Sequence, residues 1–255
     1  MNSDVRTRVS ALIRMNTTLL LREPGPVVSR LVMPLVLIVV LEPLYRAALS
    51  GQGEQAGTTQ IVAGVLVMFS LLALSIVGSA ILTERAWRTW DRLRVTPAAS
   101  WELLTGKAVP ALGVLLVQQV LVLGVSSVLF DLRIADLGLL AVVVAVWVFT
   151  LLCMGMALGA LARSHSELAV FYDIGGLALT VLGGALVPLS MMPEWARALA
   201  PISPGYWAMS GYRAALAGDV GGVFAELAVL LLIAAVAGTV ACWRITRGWG
   251  RSRLL

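Results

Sequence analysis

The chain has 255 residues, a formal net charge of +5, 59% hydrophobic residues and only 13% charged residues, against roughly 45–50% and about 25% in soluble globular proteins. A water-soluble fold has too little interior to hide that much apolar surface. The composition therefore excludes a soluble domain, a disordered segment and a disulfide scaffold, and it predicts an all-α integral membrane protein.

The first 26 residues are polar for too long to form a cleavable leader with an apolar core. Val5, Val9, Leu12, Ile13, Leu19 and Leu20 recur near helical spacing, with Arg6, Arg8, Arg14 and Arg22 between them. Such an arm is expected to lie along the inner membrane surface, to act as a positive topology anchor, or both. Pro24-Gly25-Pro26 then turns the chain. Six apolar stretches long enough to cross a bilayer follow, at 27–45, 61–82, 108–130, 137–162, 168–189 and 223–242. The first is the weakest, with Arg30 near one end, where it is expected to snorkel, Pro34 inside and Glu42-Pro43 near the other end. The domain plan is thus an amphipathic arm over 1–26, a six-helix membrane domain over 27–242 and a basic tail over 243–255.

Basic residues set the orientation. The arm, Arg30, the loop after the second span (Arg85, Arg88, Arg92, Arg94, Lys107), Arg163 and the tail (Arg244, Arg247, Arg251, Arg253) hold fifteen, whereas Arg46, Arg133, Arg197 and Arg213 lie on the opposite side. The positive-inside bias predicts that both termini are cytoplasmic, and it accounts for the basic charge through anionic lipid headgroups with no nucleic acid.

Two connecting segments exceed ordinary loops. The loop 83–107 has no helix breaker before Pro97 and carries mixed charge, so a short helix is predicted. Ser100 then resembles an N-cap for the next helix. By itself this pattern fits either a docking helix for a soluble partner or a tryptophan-anchored interface loop that only enforces topology. The segment 190–222 is too apolar for a free loop, and Ser203 as N-cap, Pro204 as first helical residue and Gly218 beyond the end predict a helix of three to four turns. This short helical pair is expected to dip back into the outer membrane edge or to cover the bundle. Chemistry for catalysis is sparse: there is one histidine, there are two cysteines in apolar runs, and no metal-ligand cluster, nucleophile elbow or phosphate-binding GxxxxGK occurs. Gly106-Lys107 lacks the earlier glycine of that last motif, Trp101 standing in its place.

The loop motif is similar to that of the membrane subunits of ABC-2 exporters, with a daunorubicin-type drug-efflux permease as its nearest flavour. The family pattern falls on Glu84-Arg85, Thr89, Asp91-Arg92-Leu93, Val95-Thr96-Pro97 and Gly106-Lys107, while Ala86 and Arg88 depart from it. The resemblance covers nearly the whole chain. It implies six transmembrane helices with a cytoplasmic coupling helix between spans two and three, and re-entrant helices between spans five and six. It further implies two separate ATPase subunits that carry ATP and Mg, this chain binding no cofactor itself. A second identical or related permease and a bacterial cytoplasmic membrane complete the expectation.

That family also implies a path lined by the first, second and fifth spans. Met68, Phe69 and Leu72 on the second and Phe171, Tyr172 and Thr180 on the fifth are path candidates, with ordinary helix packing as the competing role. Asp173 is an intramembrane acid, which is costly and faces protein or water as a rule. It fits either attraction of a cationic substrate or a salt bridge to Arg163 or Arg85. Glu42 and Glu226 are expected at the outer interface, and Gln118-Gln119 in inter-helix hydrogen bonds. Gly155 and Gly159 in the fourth span, and Gly176, Thr180 and Gly184 in the fifth, mark packing seams inside the bundle or between two copies. The implied function is export of a drug-like or amphipathic molecule. Alternatives are export of a lipid-linked glycan or polysaccharide and, from another class, an ion-coupled secondary transporter. An intramembrane enzyme lacks the paired acids or dyad it would need.

Overall fold

In the computed structural model, residues 3–22, 24–86 and 100–246 are described, and among them every regular element is helical. The arm is helix α1 (Ser3–Arg22), which stops just before Pro24. Helix α2 (Pro24–Ala48) carries Pro34 and Pro43 inside it. Helices α3 (Ala56–Ala86), α4 (Ser100–Leu129), α5 (Leu137–Leu161) and, at the end, α10 (Val220–Thr246) complete the long elements. Among the described residues five helical stretches are long and apolar enough to cross a membrane: Val27–Ala48, Ala56–Thr83, Thr105–Leu129, Leu137–Leu161 and Val220–Arg244.

The stretch expected as a fifth span of six, 168–189, is not one continuous α-helix. Helix α6 (His165–Val170) begins three residues earlier than expected because Ser164 caps it, accepting from the Glu167 amide at 3.1 Å, while the Glu167 carboxylate reaches back to the Arg163 amide at 2.8 Å. A π turn, Phe171–Gly175, follows, and helix α7 (Gly176–Leu182) ends in a turn at Gly183 and at Gly184, whose φ of +78° suits glycine. The eighteen helical residues reach about 27 Å at the α-helical rise, close to the hydrocarbon thickness of about 30 Å.

Two short helices occupy the segment 190–222. Helix α8 (Glu194–Leu199) leads into α9 (Pro204–Ala217), which has the predicted signals: the Ser203 hydroxyl accepts from the Gly205 amide and Gly218 closes the end with φ +74°. The apolar side of α9 is inside, with Ala208, Met209, Tyr212 and Ala215 fully or almost fully buried.

Helix α3 is the axle of the bundle. In its most apolar window 78% of residues are buried, against 17% in α2 and in α10. Small residues let α5 and the α6–α7 segment approach it. A Cβ on Gly159 would stand 2.5 Å from the Gly78 carbonyl oxygen, and one on Gly155 would stand 2.7 Å from Val77 Cβ. Gly176 is buried against Leu71 and Leu72, and Thr180 is fully buried. Both seams of small residues therefore join helices of one chain.

Candidate functional site

At one end of the bundle α1 packs against the first turns of α4. Glu84 and Arg85 lie in the final turns of α3. Thr89, Asp91, Arg92, Leu93, Val95, Thr96 and Pro97 lie outside the described residues. Immediately after that segment the chain is pinned to the arm. Arg8 Nε and Nη2 donate to the two carboxylate oxygens of Glu102 at 3.1 and 3.3 Å, and Glu102 is only 2% exposed. One turn on, a Cβ on Gly106 would stand 2.6 Å from Leu12 Cβ, so α1 and α4 nearly touch there. Breaking one partner of a buried pair strands the other charge. Arg8→Ala is expected to loosen the arm by about 1–3 kcal/mol, the half-exposed arginine placing it below the fully buried case. Limited proteolysis should then cut α1 faster, and the swapped pair R8E/E102R should restore protection.

Between α2, α3, α4 and the π turn sits a polar junction. Arg30 does not snorkel to an interface. Its Nη1 donates to the Leu72 carbonyl and its Nη2 to Ser75 Oγ, both on α3. Gln118 of α4 donates to the Arg30 carbonyl at 3.4 Å. The Tyr172 hydroxyl lies against Gly78, where a Cβ would collide with it. Arg30 Nε, Gln118 Oε1 and Tyr172 Oη are buried and make no hydrogen bond among the described residues. A guanidinium here is tolerable because a backbone carbonyl and a hydroxyl meet it.

The path candidates divide by exposure. Met68 is buried and Phe69 and Leu72 are half-buried on α3. Tyr172 and Thr180 face the bundle interior, Thr180 donating to the Gly176 carbonyl at 2.7 Å. Phe171 and Asp173 open outward together with Ile174 and Leu177. Asp173 forms no ion pair with Arg163, whose side chain is exposed at the helix start. Sequence reasoning missed the partners of Arg30, the Leu72 carbonyl and the Ser75 hydroxyl, although an arginine inside an apolar stretch is itself the signal that a bonding group waits opposite.

At the far end, polar side chains tie the irregular turn 183–188 and α9 to the long helices. Gln60 donates to the Gly184 carbonyl at 2.9 Å and accepts from Arg213, and Tyr45 donates to the Leu186 carbonyl. Glu42 does not reach an interface: it is 4% exposed and accepts from Arg46 Nε at 2.7 Å and from the Thr58 hydroxyl at 2.9 Å. Its own helix and α3 supply enough donors to keep the carboxylate inside. Glu226 is half-buried and accepts from Ser210 at 2.8 Å. A cavity of about 700 Å³ lined by Gln60, Arg133, Pro188 and Arg213 opens at this end.

One relay crosses the whole interior. The Tyr212 hydroxyl donates to Gln119 Oε1 at 2.7 Å, Gln119 Nε2 donates to Ser70 Oγ at 2.7 Å, and Ser70 donates to the Leu66 carbonyl. It joins α9 to α4 and α3. Burial holds the Tyr212 phenol above its ordinary titration range, so the hydroxyl stays a donor. Tyr212→Phe leaves the buried Gln119 carbonyl without this donor and is expected to cost about 1–3 kcal/mol, read as a lower Tm in detergent with secondary structure intact.

Among the described residues no cluster of histidine, cysteine or acidic side chains is placed to hold a metal ion. The family model described as ABC-2 type transporter matches residues 7–217. The chain is similar to the probable multidrug ABC transporter permease YbhR of Escherichia coli K12, with 27% identity over 146 residues, 56% of this chain and 40% of that protein. Similarity to the linearmycin resistance permease protein LnrN of Bacillus subtilis 168 is 23% over 185 residues, 72% of this chain and 48% of that protein. The inner membrane transport permease YhhJ of Escherichia coli K12 is 30% identical over 135 residues, 52% of this chain and 36% of that protein. In each comparison the chain spans less than half the length of the relative.

Proposed function

Because this chain belongs to the ABC-2 type transporter family, we propose that it is the permease half of an exporter that expels drug-like or amphipathic small molecules. Energy comes from ATP and Mg on two separate ATPase subunits, and two permease chains enclose the path. The broken α6–α7 segment serves as the fifth of six crossings, and both termini face the cytoplasm of a bacterial inner membrane. The coupling surface is Glu84 to Pro97. The observation that carries this reading is the family match across 7–217, supported by relatives named for multidrug transport and linearmycin resistance.

Two local features give the reading a mechanism. In sequence, residues 87–99 join α3, the axle, to α4, whose first turn is clamped to the arm by Arg8–Glu102. A push on the loop therefore reaches α1, α3 and α4 together. Movement of α3 in turn acts on everything packed against it, including the π turn beside Tyr172 and Asp173.

The test is vectorial transport. Tagged chain purified from its own host should bring down an ATPase with a phosphate-binding GxxxxGK motif. The pair in liposomes should move an amphipathic dye only with hydrolysable ATP and Mg. Transport by the chain alone in nucleotide-free vesicles would overturn the reading in favour of an ion-coupled carrier.

A further inference from the structure

We propose that Asp173 selects the cargo by charge: the exposed face of the π turn binds hydrophobic cations, with Asp173 as counter-ion and Phe171 as the aromatic wall. This rests on the export reading above and names the chemical class of its substrate.

The geometry is unusual for an intramembrane acid. Asp173 is the ninth residue of the helical stretch that opens at His165, about 12 Å along it at the α-helical rise. It lies on an exposed face with Phe171 at 48% exposure, Ile174 at 67% and Leu177 at 47%. An acid at such depth pairs with a cation or faces water, since lipid solvates neither charge nor hydrogen bond. Arg30, the buried cation of the polar junction, does not close a pair with it. Both terminal nitrogens of Arg30 are committed to α3, at Leu72 O and Ser75 Oγ, and among the described residues Asp173 accepts no hydrogen bond and enters no ion pair. The negative charge is left on an otherwise apolar and aromatic face, which is complementary to a molecule carrying positive charge and apolar bulk.

Within the π turn Tyr172 is buried against α3 while its neighbours Phe171 and Asp173 are both turned outward. Single-turn π segments of this kind gather at functional sites.

The experiment is equilibrium binding to the full chain in phosphatidylcholine nanodiscs, with empty discs subtracted. The probes are tetraphenylphosphonium, a permanent aromatic cation, and triphenylphosphine oxide, a neutral molecule of related shape. Wild type is expected to prefer the cation. Asp173→Asn should weaken tetraphenylphosphonium binding by about tenfold or more, as removal of one low-dielectric charge pair predicts. Binding of the neutral probe should stay unchanged, and Asp173→Glu should restore most of the cation affinity. Equal affinity of wild type for the two probes, no binding of either, or an Asn variant that keeps the cation would each overturn the proposal. A loss shared by the neutral probe would also overturn it, as a packing effect. None of these outcomes touches the export reading, which is judged by ATP-driven flux of any amphiphile.

Discussion

Replacing Gly159 by alanine is expected to destabilise the folded chain by about 2–3 kcal/mol, the upper part of the range for overpacking a tight interior. The new methyl group would stand 2.5 Å from the Gly78 carbonyl oxygen and 2.8 Å from its Cα, both backbone atoms of α3 that no side-chain rotation can move aside. The helices must separate, and separation withdraws Gly155 from Val77 along the same seam. Gly124→Ala is the matched control, because a Cβ there meets nothing within 4 Å. It should leave Tm unchanged or raise it through helix propensity, worth up to about 1 kcal/mol. Thermal unfolding of both variants in detergent decides the matter, and an equal Tm for the two would remove the seam from the account of what holds the bundle together.

The second large effect concerns power transmission. Reversing the charge of Asp91, or of Arg85 seven residues after Gly78 on α3, is expected to abolish ATP-driven transport while the chain still inserts and keeps its Tm. A charge reversed at a docking surface turns an attraction into a repulsion, and losing a close interfacial pair costs about 2–5 kcal/mol, or roughly 30-fold to several-thousand-fold in affinity for the ATPase. The partner's ATP turnover should then stop responding to cargo. Transport at the wild-type rate by Asp91→Arg would remove Glu84 to Pro97 from the coupling role. The Asp173→Asn variant separates cleanly from this one, since it changes which molecules bind and leaves the ATPase attached.

Much of the bundle was legible in the chain because apolar length and helix punctuation are local properties. Residues 203–218 show this best: hydroxyl cap, proline in the first turn and glycine at the end produced the α9 helix as read. The fifth segment departed from expectation for an equally physical reason. Mean apolarity does not register the Ser164–Glu167 cap that starts the helix early, the π turn inside it, or the glycine pair that stops it at Leu182. The partners of the polar residues were not legible either. Arg30 and Ser75 lie 45 residues apart, and Tyr212 and Gln119 lie 93 apart. Residue type says only that such a group needs a partner.

The chain by itself determined that this is a helical membrane protein, because 59% hydrophobic content and span-length runs leave no other solvent for it. Tertiary structure alone decided which faces of those helices meet. It put both glycine seams inside one chain, drew Arg30 onto α3, buried Glu42 and turned Asp173 outward. Helical period fixes which residues share a face, but the direction that face looks is set by close packing with other helices. In a chain apolar on nearly every side, periodicity carries almost none of that information.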